Sequence, residues 1–244
     1  MRLKLVLIIG CFLCITGLRA QYTDSTSYYA GYISTGSYNR TNSSSAYLLN
    51  NGIKLGARKK DLALNSSNKW LYGKQNNILT NNDLSSAWDL NLYKTFPHFY
   101  YWGLFNYNSS YSLKINHQLQ AGVGVAYNFF DTKKITINLS DGIIYDYSDI
   151  ILSDGVREVY ATPRNSFRLQ VKSNIKDRFV FNGNAFLQNS LEDAEDYIIK
   201  SDIGLSVKLK KWLSITSAFS YNEMSRTKKS NLIFTYGITI EKYF

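Results

Sequence analysis

The segment 232–244 reads LIFTYGITIEKYF, and its alternation restricts the fold more than any other feature of the chain. Leu232, Phe234, Tyr236, Ile238 and Ile240 are large and apolar, and the residues between them (Ile233, Thr235, Gly237, Thr239, Glu241) are mostly small or polar. A period of two gives a strand one oily face and one that is not. After the first twenty residues, no apolar run approaches the ~20 residues that a spanning helix needs. Lipid leaves only helices and closed barrels as spanning structures, because every backbone polar group must be satisfied internally. A chain of this kind crosses a membrane, if it does, as strands.

The first residues have the form of a secretory signal. Arg2 and Lys4 are followed by an apolar stretch over 5–17, and Leu18-Arg19-Ala20 precedes Gln21, which predicts cleavage between Ala20 and Gln21. The competing reading is lipid attachment at Cys11 after Ile8-Ile9-Gly10, but only about five apolar residues then precede the break, against the usual ~7–15. The expected organisation is a signal over 1–20 and one barrel domain over 21–244. Both cysteines, Cys11 and Cys14, fall in the signal, which excludes a disulfide framework or a cysteine metal site in the domain. Setting aside Arg2, Lys4 and Arg19 leaves 25 basic residues against 18 acidic ones. That surplus suits an anionic membrane. No Lys/Arg block of the kind that marks a nucleic-acid arm is present, so no nucleic-acid partner is expected.

Alternation predicts about twelve strands. The first covers 27–36 and is broken at Gly36-Ser37-Tyr38-Asn39; the second covers 43–57, with Asn50-Asn51-Gly52 either a turn or polar lumen-facing positions. The third covers 62–72, and a long polar loop is expected over 73–82. Strands follow over 83–93, 98–108, 118–129, 135–146, 160–172, 178–188, 197–209, 212–222 and the terminal segment. The clearest is 118–129, with Leu119, Ala121, Val123, Val125, Tyr127 and Phe129 opposed to Gln118, Gln120, Gly122, Gly124, Ala126 and Asn128. Aromatic residues crowd 98–108, as in the girdles that barrels place at the membrane–water boundary. The short turns near Lys59, Thr95, Thr132, Lys176 and Lys210 all fall on one side, where outer-membrane barrels put their periplasmic turns.

The chain resembles the YdiY-like family of salt-stress-induced outer-membrane proteins, whose molecular function is unknown. The resemblance is carried by Ser34-Thr35-Gly36-Ser37, by Gly122-Val123-Gly124-Val125-Ala126-Tyr127 with the turn at Asp131, and by Ser140-Asp141-Gly142-Ile143-Ile144-Tyr145. The first of these departs from the family's usual Gly-Asn, since Ser37 follows Gly36. The resemblance implies an outer-membrane barrel and brings no catalytic residue with it.

A lipid hydrolase needs a nucleophile, a base and an orienting group, and His98 and His117 are the only histidines. Two histidines are too few for a histidine metal site, and no cofactor is expected. Arg164, Arg168, Lys172, Lys200 and Lys208 share the polar faces of two strands. They either attract anions into a lumen or neutralise Asp83, Asp89, Asp146 and Asp202 in a narrow, plugged one, the reading favoured for a barrel of this size. Glu192, Asp193, Glu195 and Asp196 read as a solvated acidic loop, with a divalent cation as the alternative.

The sequence therefore predicts an all-β, up-and-down antiparallel transmembrane barrel in the outer membrane, with lipid as its surroundings. Phe234, Tyr236, Ile238, Ile240 and Phe244 form the expected signal to the barrel-insertion machinery. The expected role is envelope structure or stress adaptation with limited passage of small solutes. The alternatives are a lipid-modifying hydrolase and a soluble periplasmic barrel around an apolar ligand.

Overall fold

The computed structural model describes residues 28–96, 98–132 and 134–243. Ala20, Gln21 and Phe244, with the predicted signal and its cleavage site, lie outside these residues. The strands are β1 (Tyr28–Arg40), β2 (Ser45–Lys59), β3 (Leu62–Gln75), β4 (Ile78–Phe96), β5 (Phe99–Ser110), β6 (Ile115–Asp131), β7 (Ile135–Ile151), β8 (Arg157–Ile175), β9 (Phe179–Ser190), β10 (Tyr197–Lys210), β11 (Leu213–Met224) and β12 (Lys229–Tyr243). Each pairs antiparallel with its chain neighbours. β1 closes on β12, with Tyr29 opposite Tyr243 and Gly36 opposite Tyr236. Closure removes every sheet edge, so the whole backbone ladder is satisfied within the wall.

The alternation sorts side chains as expected. Val123, Phe167 and Tyr236 face outward with 69%, 42% and 61% of their surface exposed, while Gln118, Gln120, Ser140 and Asp146 are buried inside. An apolar exterior around a polar interior suits hydrocarbon outside. A soluble barrel around an apolar ligand would need the reverse. The strands run 12 to 19 residues, longer than the ~9–11 that cross a bilayer, so their ends project beyond it. At one rim, aromatic rings of β5 and β6 gather on the outer face, Phe99 and Tyr127 at 4.8 Å and Tyr127 and Phe129 at 4.9 Å between centroids.

The connections after β2, β4, β6, β8 and β10 hold two or three residues, and those at the other rim hold four to six, apart from the one after β3. That exception corrects the long loop expected over 73–82. β3 and β4 run on to a two-residue turn at Asn76 and Asn77, both left-handed at φ 49° and 63°. Asparagine tolerates this conformation, and two such residues make the tight hairpin turn that matches strand twist. The polar letters around the turn are strand residues at the rim.

The break expected at 36–39 is also absent: β1 continues to Arg40, with Gly36 opposite Leu49. A Cβ on Gly36 would meet the Leu48 carbonyl at 2.8 Å, so this glycine serves a close backbone approach. Asn50-Asn51-Gly52 is no turn either. It lies mid-β2, where Asn51 faces outward and its Oδ1 accepts from the Tyr32 and Ser34 hydroxyls, each at 2.9 Å. A second outward polar pair stands midway along β7 and β8, where Asn165 Nδ2 donates to Asp141 Oδ1 at 2.9 Å.

Candidate functional site

The lumen divides into a packed end and a wet one. At the rim carrying the longer connections, Leu113, Ile115, Ile150, Ile198 and Met224 turn inward and bury one another, with Leu152 and Tyr160 against them. They come from strand ends and from the turn between β5 and β6, which folds over the mouth. Ser112 of that turn accepts from Asn231 Nδ2 of β12 at 2.8 Å, across the barrel. The same serine donates to Asp83 Oδ2 at 2.7 Å.

An ion network packs against this apolar layer. Arg164, 0% exposed, donates from Nε to Asp146 Oδ2 at 2.6 Å and from Nη2 to Asp196 Oδ2 at 2.9 Å. Arg226, in the connection after β11, joins from above: Nε to Asp196 at 2.6 Å and Nη1 to Glu158 at 2.9 Å. Its guanidinium lies 4.1 Å from the centroid of the Tyr160 ring. Burial works against the Arg226 charge, and the hydrogen bond and charge of Asp196 more than offset it, so its pKa lies above the usual arginine value. Below, Gln120 Nε2 donates to Gln188 Oε1 at 3.0 Å. Arg164, Asp146, Gln120 and Gln188 are all buried, so side chains pack the lumen at this height.

Midway down, the interior opens. Lys69 of β3 reaches Asp202 of β10 at 3.2 Å, and both side chains stay more than two-fifths exposed, at 43% and 41%, although the wall encircles them. Solvent also reaches Lys54, which faces inward beside Lys69: their strand neighbours are paired as Gly52 opposite Lys69 and Lys54 opposite Ser67. Lys200 shares the inner face of β10 with Asp202.

Three glycines shape one wall. Gly124 lies opposite Gly142 and next to Trp102, whose indole Nε1 donates to the Val125 carbonyl at 3.2 Å. A Cβ on Gly124 or Gly142 would run into the Trp102 ring. On Gly122 a Cβ would strike Ile144. The motif that carried the family resemblance is thus a bed for lumenal side chains.

Of the predicted basic residues, Arg164 holds the buried ion pairs. Arg168 donates to Ser140 Oγ at 3.2 Å and stands 5.7 Å from the Phe186 ring, and Lys172, Lys200 and Lys208 lie further along the same inner faces. Asp202 is taken by Lys69 rather than by a neighbour on its own strand, and Asp83 by serines. The acidic segment 191–196 corrects the solvated reading at one position, since Asp196 is buried among arginines. Among the described residues, no group of three or more His, Cys, Asp and Glu side chains could hold a metal ion. His117 Nδ1 pairs with the Tyr107 hydroxyl at 2.8 Å, and His98 lies in a turn with its ring 6.0 Å from Tyr127. Sequence reading missed Lys54, Lys69, Arg226 and Trp102. A strict inward–outward assignment of β2 and β3 would have put both lysines inside.

Phe234, Tyr236, Ile238 and Ile240 all face outward on β12.

Fold and interior together define a narrow, twelve-stranded barrel of the outer-membrane type. Solved structures with the same fold include the NanC porin (13% identity, 87% of this chain and 98% of that one, TM-score 0.54). The translocator domain of the autotransporter NalP from Neisseria meningitidis is similar at 12% identity, over 88% of each chain, with a TM-score of 0.51. An outer-membrane channel from Pseudomonas putida F1 follows at 9% identity, 90% of this chain and 96% of that one, and a TM-score of 0.51. At such identities the likeness is one of fold. The chain belongs to the DUF481 family, described as proteins of unknown function, whose pattern it matches over residues 33–237. That agrees with the YdiY-like resemblance drawn from the sequence. No curated protein matches the chain.

Proposed function

We propose that this protein is exported to the outer membrane and serves there in envelope structure or stress adaptation, as a barrel closed to the outside and open to the periplasm. The observation that carries this reading is the fully buried Arg164–Asp146–Asp196 network beneath the Leu113, Ile115, Ile150, Ile198 and Met224 layer. A porin meant for free flow would leave the inner face at that height in water. Solute passage is then limited to what crosses when the packed layer loosens. The exposed apolar belt takes lipid as its partner, and β12, with Phe234, Tyr236, Ile238 and Ile240 on its outer face, is the strand offered to the insertion machinery. Conductance across planar bilayers tests the proposal. Wild-type protein should show no steady current, and Arg164→Ala with Arg226→Ala should add frequent openings. A stable open-pore current from the wild type would overturn it.

A further inference from the structure

Inside the wet half of the lumen the basic side chains outnumber the inward carboxylates Asp89, Asp202 and Glu241. Lys54, Lys69 and Lys200 converge at mid-height, where, among the described residues, Asp202 is the one carboxylate in an ion pair with any of them. On β2, Lys54 stands two residues past Gly52, the partner of Lys69, toward the short-turn rim, and on β10 Lys200 stands two residues before Asp202, toward the opposite rim. The two therefore flank the Lys69–Asp202 pair from below and above. Among the described residues, the side chain of neither Lys54 nor Lys200 makes a hydrogen bond or ion pair. Asp146, the nearest acid above Lys200, is already held by Arg164. Lys172, Arg168 and Lys208 continue the basic face toward the periplasmic rim, and solvent reaches Lys54 and Lys172.

Several ammonium groups held together inside a low-dielectric wall repel one another and cost folding energy. Their arrangement becomes favourable once a counter-charge occupies the space between them. The exposure of Lys54, Lys69 and Asp202 shows that such space is present.

We infer that the middle of the lumen is a binding site for a small oxyanion, a carboxylate or a phosphate, held by Lys54 and Lys200 on either side of the Lys69–Asp202 pair. The inference rests on the proposed access from the periplasm. Asp202 plays a defined part: it occupies Lys69 and opposes the ligand's charge. Removing that carboxylate frees Lys69, so binding should tighten.

The test is calorimetric titration of the full-length protein in nanodiscs with citrate and, separately, inorganic phosphate, at low chloride. Saturable binding of either is expected. Citrate binding alone would mark a carboxylate site and phosphate binding alone a phosphate site. Lys54→Gln with Lys200→Gln should weaken binding roughly tenfold or more, the scale of losing charge-assisted hydrogen bonds. Asp202→Asn should strengthen it several-fold, an effect that damage to the fold would not produce. Lys74→Gln, on the outer face of β3 with Nζ 5.9 Å from the Tyr72 ring, should change nothing. Heat-modifiable gel mobility confirms that each variant is folded. No saturable binding by the wild type, binding indifferent to the Lys54/Lys200 change, or Asp202→Asn weakening it would overturn the inference. Failure of the sealed-mouth reading would appear as wild-type current in bilayers, a separate readout from these isotherms.

Discussion

Lys69 Nζ lies 3.2 Å from Asp202 Oδ2, although β3 and β10 stand five strands apart on the shorter path round the barrel. The pair spans the interior like a strut. Both side chains remain more than two-fifths exposed, so water screens the attraction, and pairs of this kind contribute about 0–1 kcal/mol. Lys69→Met should therefore lower the unfolding free energy by less than ~1 kcal/mol in urea titration. A much larger loss would mean that the lumen at this height is dry.

The Arg164 network should behave oppositely. Arg164 is 0% exposed and holds two carboxylates. Arg164→Met leaves Asp146 buried without its cation and Asp196 with Arg226 alone, and breaking a buried pair in this way costs about 3–5 kcal/mol. The contrast with Lys69→Met, measured in the same detergent and denaturant, separates the packed end from the wet one. Equal effects at the two positions would contradict that division.

Much of this was legible in the sequence, but not all. β6 and β10 show clean alternation because their outer faces meet one uniform apolar medium and their inner faces a polar one. The turns at one rim are short and polar, and they fall where the alternation resets. Reading failed where polarity had another cause. Asn76 and Asn77 form a two-residue turn inside a longer polar run, so the hairpin looked like a loop. Asn51, Asn165 and Asp141 are polar residues on the outer wall, satisfied by neighbours on adjacent strands. The pairing of Lys69 with Asp202 depends on curvature and barrel closure, which local periodicity does not contain.

Gly124 should resist any side chain. A Cβ there would strike both the Trp102 ring and the Asp141 carbonyl. Overpacking of this kind costs about 1–3 kcal/mol, so Gly124→Ala should destabilise by that amount. Trp102→Ala in the same chain should restore part of the loss, since the carbonyl clash remains. A double-mutant cycle with no coupling would show that Trp102 does not lie over this glycine.

Asp141 places a carboxylate midway along the outer wall, held by Asn165 at 2.9 Å. A charge facing hydrocarbon is unfavourable, less so for Asp than for the ~2–4 kcal/mol of Lys or Arg at the midplane. Asp141→Asn keeps an acceptor for Asn165 and removes the charge. It should stabilise the protein in lipid by about 1 kcal/mol, read from the urea midpoint in vesicles. Destabilisation would mean that Asp141 meets water or a cationic partner instead.

The most direct test of the account is the accessibility of a cysteine at position 54, Lys54→Cys, in a chain lacking Cys11 and Cys14. A sulfonated maleimide too large for general porins should leave this cysteine unlabelled in intact cells and should label it once the periplasm is opened. Val123→Cys, on the outer face, should stay unlabelled in both. Labelling of position 54 in intact cells would show that the outer mouth is open, and protection under both conditions would show that no water-filled path leads to it from the periplasm.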